Sequence, residues 1–297
     1  KQYIYVWSAS VLARRIIQAL TALLYNIHLK GFITGRIYQG SLKKVCVPGL
    51  NCYSCPGAIG SCPIGSLQSS IGAVRYKVSL YVTGLLILFG TLFGRFICGW
   101  MCPFGLVQEI LHKIPSPKLR KKPVYGALKY CKYVILAVFV LLVPALLSLQ
   151  KGVTTPAFCK YICPAGTLEA GVPLVILNES LQHTVGWLFC WKMLLLAAII
   201  VSAVFIYRPF CRFLCSLGAI YGMFNSMSIF GLNVDSSKCT RCGLCTGACK
   251  ADIQPFNTPN DPECVRCGDC VKACPHSALN YSSIYTDRSS TSRNINY

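Results

Sequence analysis

The chain has 297 residues, of which 54% are hydrophobic and only 13% charged, and its mean hydropathy of +0.52 excludes an ordinary soluble domain and indicates a membrane protein. Its 20 cysteines exclude a disulfide framework, which belongs to much smaller secreted domains, and favour metal ligation in a reducing compartment. The formal charge of +20 favours anionic lipid or an acidic redox partner over nucleic acid, because the basic residues lie in short loops beside apolar segments.

Four apolar segments are candidates for transmembrane helices. They cover residues 3–29, 78–94, 133–150 and 184–207. The first contains Arg14 and Arg15, whose charges are expensive near the bilayer centre unless they are paired, so a helix lying in the membrane interface is the alternative there. We therefore predict a mainly helical membrane protein with about four transmembrane helices.

One cysteine pattern, C-x-x-x-C-P-x-G, recurs next to these segments. Its four copies occupy residues 58–65, 98–105, 159–166 and 211–218. The first copy keeps only its second cysteine, Cys62, and the last has Ser216 in the proline position. Two thiolates four residues apart supply half the ligands of a cubane iron–sulfur cluster, and the proline opens a helix whose positive end faces an anionic cluster. One such pair would equally suit packing cysteines, but four copies indicate metal ligation.

The order of turns and spans predicts which cysteines share a cluster. If the last three spans cross the membrane in alternate directions, the second and fourth turns emerge on one side and the first and third on the other. One site is then Cys98, Cys102, Cys211 and Cys215. The other is Cys159, Cys163, Cys62 and Cys55, the last chosen as the nearest upstream thiol. The membrane domain would thus consist of two turn-span-turn repeats with one cluster near each face.

From Asp235 onward the composition becomes that of a soluble module. Two C-x2-C-x2-C-x3-C runs, which begin at Cys239 and Cys264, have the spacing of the bacterial two-cluster ferredoxin. In that pattern each cluster takes three cysteines from one run and the fourth from the other. The two predicted sites are Cys239, Cys242, Cys245 with Cys274, and Cys264, Cys267, Cys270 with Cys249. A structural zinc site is the alternative interpretation of this cysteine spacing.

The predicted domains are therefore a transmembrane domain at residues 1–230, an α+β ferredoxin domain with two [4Fe-4S] clusters at 231–281, and a polar tail at 282–297. Cys131 and Cys190 are interpreted as packing residues, whereas Cys46 and Cys52 receive no role. Two further residues near the cysteine turns, Glu109 and Glu169, are interpreted as charges on helix surfaces. No catalytic motif is present, so no catalytic residue is predicted.

The turns Cys98-Gly-Trp-Met-Cys-Pro and Cys211-Arg-Phe-Leu-Cys, together with the ferredoxin runs, resemble the membrane-bound polyferredoxin family. This family includes accessory proteins of nitrate and nitrous-oxide respiration, namely the NapH type and the C-terminal half of the NosR type, and proteins of cytochrome oxidase assembly. The resemblance covers Arg95 to about Ala278. It implies an electron carrier of the inner membrane that works with quinones or with partners that hold flavin. The extra cysteines before Cys62 depart from the simpler members.

The sequence thus predicts a transmembrane electron-transfer subunit with four [4Fe-4S] clusters, two in each domain. Single electrons would pass from a soluble acidic donor in the cytoplasm to a membrane or extracytoplasmic acceptor, a flavoprotein or a quinone. The chain would be one component of an oxidoreductase complex, with flavin-binding or other respiratory subunits as partners. The alternatives are a quinone or metal-ion reductase, or an assembly or maturation factor of a respiratory enzyme.

The orientation follows from the ferredoxin module. Residues 30–77 and 113–129 each contain six Lys and Arg, so the positive-inside rule does not decide between the two faces. Oxygen-sensitive clusters are better protected in the cytoplasm. We therefore predict a multi-pass inner-membrane protein whose ferredoxin domain faces the cytoplasm.

Overall fold

The computed structural model describes residues 11–72, 80–119, 124–151 and 156–283. These residues are mostly helical. The helices up to the third cysteine turn are α1 (Val11–Tyr25), α2 (Lys30–Thr34), α3 (Pro63–Gly72), α4 (Leu80–Phe93), α5 (Phe96–Trp100), α6 (Pro103–Leu111), α7 (Val124–Leu128), α8 (Cys131–Ile135), α9 (Val143–Lys151) and α10 (Ala157–Tyr161). A 3-10 turn occupies Ser41–Lys44, and a π-helical stretch at Leu136–Leu142 joins α8 to α9.

The remaining elements follow the third cysteine turn. The helices are α11 (Pro164–Gly166), α12 (Val172–Leu177), α13 (Glu179–Gln182), α14 (Trp187–Phe205), α15 (Pro209–Phe213), α16 (Ser216–Phe224), α17 (Leu244–Ala248) and α18 (Asp269–Lys272), with a π-helical turn at Thr167–Gly171. The strands are β1 (Phe230–Val234) and β2 (Leu279–Ser283). They pair antiparallel, with Phe230 opposite Ser283.

Among the described residues, two helical stretches are long and apolar enough to cross a membrane. They are Val124–Gln150 and Trp187–Phe205, each with a mean hydropathy of 2.4 over its most apolar window. They correspond to the predicted spans at 133–150 and 184–207. The predicted spans at 78–94 and 3–29 contain the shorter helices α4 and α1, and their first residues, 78–79 and 3–10, lie outside the described part of the chain.

Helix α1 buries its polar side and exposes its apolar side. Arg14 and Gln18 are buried at 1% and 0% exposure, whereas Leu12, Ile16 and Leu20 are 49–67% exposed. A helix in water has the opposite arrangement, because apolar side chains are then stabilised by leaving the solvent. The outward apolar face of α1 is therefore suited to lipid.

Each copy of the cysteine pattern starts a short helix, and the four helices α3, α6, α11 and α16 meet in one core. The first helical residue is proline in the first three copies and Ser216 in the fourth. Proline suits the first helical position because its missing N–H would have no partner there. The glycine amide in each copy donates a hydrogen bond to the sulfur of the second cysteine. These pairs are Gly65 to Cys62, Gly105 to Cys102, Gly166 to Cys163 and Gly218 to Cys215. The motif is thus a helix start whose first free N–H groups face a thiol.

The segment from β1 to β2 contains both ferredoxin runs and is fixed to the helical domain by buried ion pairs. The carboxylate of Glu263 binds Arg95 at 2.9 Å and also binds Lys132, and Asp252 binds Arg212 at 2.9 Å. The predicted domain boundaries at 231 and 281 fall inside the two strands, so the first residues of the predicted tail, 282 and 283, belong to β2. Residues 284–297 lie outside the described residues.

Candidate metal centres

Four thiols meet where α5, α6, α15 and α16 converge, and we call them the central group. They are Cys98, Cys102, Cys211 and Cys215. All four are buried, and they are close enough to interact electrostatically with one another. Arg95 donates a hydrogen bond to Cys98, and the Gln108 side-chain amide donates to the Cys211 sulfur at 3.1 Å. The central group thus accepts hydrogen bonds from backbone N–H groups at helix starts and from the side chains of Arg95 and Gln108.

A second set of thiols lies between the loop before α3 and the start of α11, and we call it the loop group. It contains Cys52, Cys62, Cys159 and Cys163. A Cβ atom on Gly166 would lie 3.6 Å from the Cys52 sulfur. Gly166 therefore lies directly against these thiols.

The structure brings Cys52, not the predicted Cys55, to the loop group. The ionisable side chains with the largest effect on the buried Cys55 thiol are Glu169 and Lys43, whereas Cys62 and Cys159 are among the main influences on Cys52. The Cys52 amide donates a 2.6 Å hydrogen bond to the Glu169 carboxylate, which follows Cys163 on the same helical segment. This hydrogen bond between distant parts of the chain holds Cys52 in place. The spacing of the cysteines along the sequence does not predict it.

The ferredoxin runs line two cavities of about 350 and 390 Å³, mouths included. We call the first set of thiols the outer group; it contains Cys239, Cys242, Cys245 and Cys274. We call the second set the inner group; it contains Cys249, Cys264, Cys267 and Cys270. Each cavity thus receives three thiols from one run and one from the other, which is the crossed arrangement of the two-cluster ferredoxin spacing.

The central and loop groups lie side by side. The backbone amide of Leu50 donates to Cys102, and that of the next residue, Asn51, donates to Cys62. Tyr221 lies within electrostatic range of thiols from both groups. Adjacent Cα atoms are only about 3.8 Å apart, so a membrane thickness does not separate the groups. The prediction of one cluster near each face is wrong, because the turns and the short helices after them fold into a common core.

The inner group lies against the central group. The residue after Cys98 is Gly99, and a Cβ atom there would overlap the carbonyl oxygen of Val265, the residue after Cys264. The Trp100 indole N–H donates to the Arg266 carbonyl at 3.0 Å. The inner group also lies beside the outer group, because Cys270 interacts electrostatically with Cys245. The four groups therefore follow one another in the order outer, inner, central, loop.

The donor set of these groups fits iron–sulfur clusters. Burial raises the pKa of the Cys98 and Cys102 thiols and raises that of Cys62 to about 12, so these thiols need bound cations to lose their protons. Within the described part of the chain, no three His, Cys, Asp or Glu side chains are placed to hold a single metal ion. A cubane instead binds each thiolate through a different iron. Four separated, buried thiols with N–H donors suit that group better than zinc.

Two carboxylates interpreted as surface charges are withdrawn from solvent, Glu109 fully and Glu169 in part. Glu109 is buried and forms ion pairs of 3.0 Å with both Arg14 and Arg208. Glu169 accepts the Cys52 amide, and burial raises its pKa to about 7. The sequence shows the proximity of these carboxylates to the cysteine turns, but the basic residues that pair with Glu109 are distant along the chain.

Three further cysteines lie outside the four groups. Cys131 and Cys190, interpreted as packing residues, are exposed on apolar helices, where side chains facing lipid are outside the protein core. Cys46 is buried and forms a 3.1 Å hydrogen bond with the Ser61 hydroxyl. Cys46, Cys131 and Cys190 therefore belong to none of the outer, inner, central and loop groups.

The comparisons with known proteins agree with this chemistry. The family described as a 4Fe-4S binding domain matches residues 78–122, 133–172 and 185–232, which contain the last three cysteine turns. An uncharacterized protein of Methanocaldococcus jannaschii is 30% identical over 75% of this chain and 84% of its own length. The chain belongs to this 4Fe-4S binding family. The predicted resemblance to membrane-bound polyferredoxins is thus confirmed.

Other relatives match this chain over smaller parts of their length. The putative electron transport protein YccM of Escherichia coli is 22% identical over 67% of this chain and 55% of its own length. The regulatory protein NosR of Pseudomonas aeruginosa is 30% identical over 54% of this chain, but the match spans only 21% of NosR. No solved structure matches the chain. The family membership supports a role in electron transfer through 4Fe-4S clusters.

The assignment of cysteines to the four groups predicts which variants lose the same cluster. Because Cys98 and Cys211 both belong to the central group, Cys98→Ala and Cys211→Ala should abolish the same electron paramagnetic resonance signal of the reduced protein. Cys159→Ala should abolish a different signal, since Cys159 belongs to the loop group. A signal lost in both Cys98→Ala and Cys159→Ala would contradict the grouping.

Proposed function

We propose that the chain is a transmembrane electron-transfer subunit in which the outer, inner, central and loop groups each ligate one [4Fe-4S] cluster. When bound, such clusters accept and release single electrons. The chain would connect a cytoplasmic donor to an acceptor in the membrane or beyond it, a quinone or a flavoprotein. The four adjacent thiol groups are the observation that carries this proposal, because a purely structural role would not require an uninterrupted series.

The outer group is suited to receive electrons from a soluble donor. Cys242 is exposed, and the cavity of this group is also lined by Lys238, Arg241 and His276. Basic side chains around an exposed ligand favour a partner with an acidic surface, because complementary charges speed encounter and orient the complex. An acidic ferredoxin or flavodoxin has this chemistry.

The inner and central groups are suited to exchange electrons without exposure to water. The Gly99 backbone packs on the Val265 carbonyl, so no side chain separates the two turns. Arg95 contacts both sides of this boundary, because it donates to the Cys211 carbonyl and binds Glu263. The protein thus holds the two groups in fixed proximity and excludes solvent between them.

The loop group is the end of the series nearest to the acceptor. Cys52 and Cys159 are partly exposed, and the neighbouring Tyr53 ring is 48% exposed. This partial exposure favours electron transfer to a partner that contacts the loop between α2 and α3. The proposal assigns the fourth ligand of this group to Cys52 in place of Cys55.

The membrane arrangement is part of the proposal. The two long apolar helices would supply two crossings, and α1 and α4 would lie in the membrane beside them as the other two spans. The outward apolar face of α1 supports a spanning helix over one lying in the interface, since Arg14 is paired with Glu109 inside the protein. The segment from β1 to β2 would face the cytoplasm from the inner membrane.

The proposed function can be tested on the full chain in lipid nanodiscs, reconstituted anaerobically. We expect about 16 irons per chain and four reducible signals after addition of a reduced acidic ferredoxin. Quinone analogues and ferric or cupric ions should show no catalytic turnover with the isolated chain, because the flavin or quinone that accepts the electrons would be held by a partner subunit. Turnover of either would instead establish a reductase, and iron well below this value would overturn the four-cluster assignment.

A further inference from the structure

Two glutamines occupy the same position in two different cysteine turns. Gln68 and Gln108 are each the sixth residue after the second cysteine, in the sequences Cys62-Pro-Ile-Gly-Ser-Leu-Gln and Cys102-Pro-Phe-Gly-Leu-Val-Gln. Both side chains are buried, at 0% and 1% exposure. The equivalent positions after Cys163 and Cys215 are Glu169 and Tyr221, so only the first two turns carry an amide here.

Gln108 connects its own turn to the other half of the central group. Its Oε1 accepts the backbone N–H of Phe210 at 3.1 Å, and its Nε2 donates to the sulfur of Cys211 at 3.1 Å and to the carbonyl of Phe104 at 3.3 Å. The backbone N–H of Phe210 requires an acceptor, so the amide is oriented with its nitrogen towards the sulfur.

Gln68 makes the same three hydrogen bonds in the loop group. Its Oε1 accepts the backbone N–H of Phe158 at 2.9 Å, and its Nε2 donates to the sulfur of Cys159 at 3.5 Å and to the carbonyl of Ile64 at 3.2 Å. Phe158 precedes Cys159 just as Phe210 precedes Cys211. Two separate parts of the fold therefore repeat one arrangement. In each, a glutamine side-chain amide accepts the backbone N–H of the residue before a cysteine and donates a hydrogen bond to the sulfur of that cysteine.

We propose that Gln68 and Gln108 are positioning residues that raise the reduction potentials of the clusters in the loop and central groups, respectively. Reduction adds negative charge that is partly carried by the ligand sulfurs. An N–H donor aimed at a sulfur stabilises this charge, most of all in a site that excludes water. The inference rests on the proposed ligation of both groups. The shorter contact of Gln108 predicts the larger effect in the central group.

The test measures midpoint potentials of the reconstituted full chain by redox titration followed by electron paramagnetic resonance. Gln108→Met should move the central signal to a more negative potential and leave the loop signal unchanged. Gln68→Met should do the reverse, with a smaller shift. The signals are assigned by their loss in Cys211→Ala and Cys159→Ala. Iron content equal to that of the wild type shows that the clusters are present in each glutamine variant.

The matched control is Gln18→Met. Gln18 is also a buried glutamine, but its side-chain amide donates to the Gly99 carbonyl at 2.8 Å and not to a sulfur. Its replacement should shift neither potential. Equal shifts in Gln18→Met and Gln108→Met would show a general packing effect and would overturn the proposal, as would unchanged potentials in both sulfur-facing variants.

A second measurement covers the case in which a methionine variant loses its cluster. Wild-type protein labelled with ¹⁵N in the glutamine side-chain amides should show a nitrogen hyperfine coupling on both the central and the loop signals, and its absence would overturn the inference. If the wild type has normal signals without the coupling, only this inference fails. If the wild type lacks either signal, the proposed function fails with it.

Discussion

Cys52→Ala should remove the cluster of the loop group, whereas Cys55→Ala should leave it in place. The Cys62 and Cys159 thiols are among the main electrostatic influences on Cys52, whereas those on Cys55 are Glu169 and Lys43. A cubane that loses a thiolate usually loses an iron or fails to assemble, so we expect iron to fall from about 16 to about 12 per chain in the complete case. The measurement is iron analysis together with the signal that Cys159→Ala abolishes.

Cys55→Ala is a demanding control because Cys55 is also buried and lies only three residues away. Its sulfur accepts backbone N–H groups from Gly57 and Ala58, so its loss should weaken the loop locally without changing the iron content. The opposite result, with iron lost in Cys55→Ala and retained in Cys52→Ala, would return the fourth ligand to the residue nearest in sequence.

This pair shows what local sequence contains and what it lacks. The C-P-x-G pattern predicts a helix start with free N–H groups facing a thiol. All the residues that determine this local structure lie within eight positions of one another. The position of Cys52 is fixed in part by Glu169, which lies 117 residues away from Cys52 and accepts its amide. Spacing alone favoured the nearer thiol, because nothing local marks a bond to a distant carboxylate.

The arrangement of the membrane domain was predicted only in part for a similar reason. Hydropathy located the long apolar segments, since that signal is summed over many residues. Hydropathy also counts Arg14 as an unpaired charge in the first segment, because its partner, Glu109, lies on another helix. The adjacency of the central and loop groups depends on the loop at Leu50 and Asn51, whose path has no periodic pattern.

Glu263→Ala should destabilise the docking of the ferredoxin segment by about 3–5 kcal/mol, because it leaves buried cations without their counter-ion. Arg95 and Lys132 are 1% and 0% exposed, and both bind the Glu263 carboxylate. Lys132 lies on an apolar helix, and its ammonium group also lies 5.2 Å from the centre of the Tyr133 ring. Arg95 retains its hydrogen bonds to the Pro262 and Cys211 carbonyls, so Lys132 should carry most of the loss.

The loss can be measured as a lower temperature for bleaching of the inner-group cluster and as slower reduction of the central-group cluster by a donor at the outer group. Asp235→Ala is the matched control, since Asp235 also pairs with a lysine of the same segment, Lys238, but both side chains are exposed and the pair contributes about 1 kcal/mol or less.

Glu263→Ala combined with Lys132→Met and Arg95→Met should recover part of the stability, because no unpaired cation is then buried. Equal effects of Glu263→Ala and Asp235→Ala would contradict docking by the buried pairs. Slower electron transfer in Glu263→Ala, with all four clusters still present, would show that the close packing of Gly99 on Val265 depends on this carboxylate.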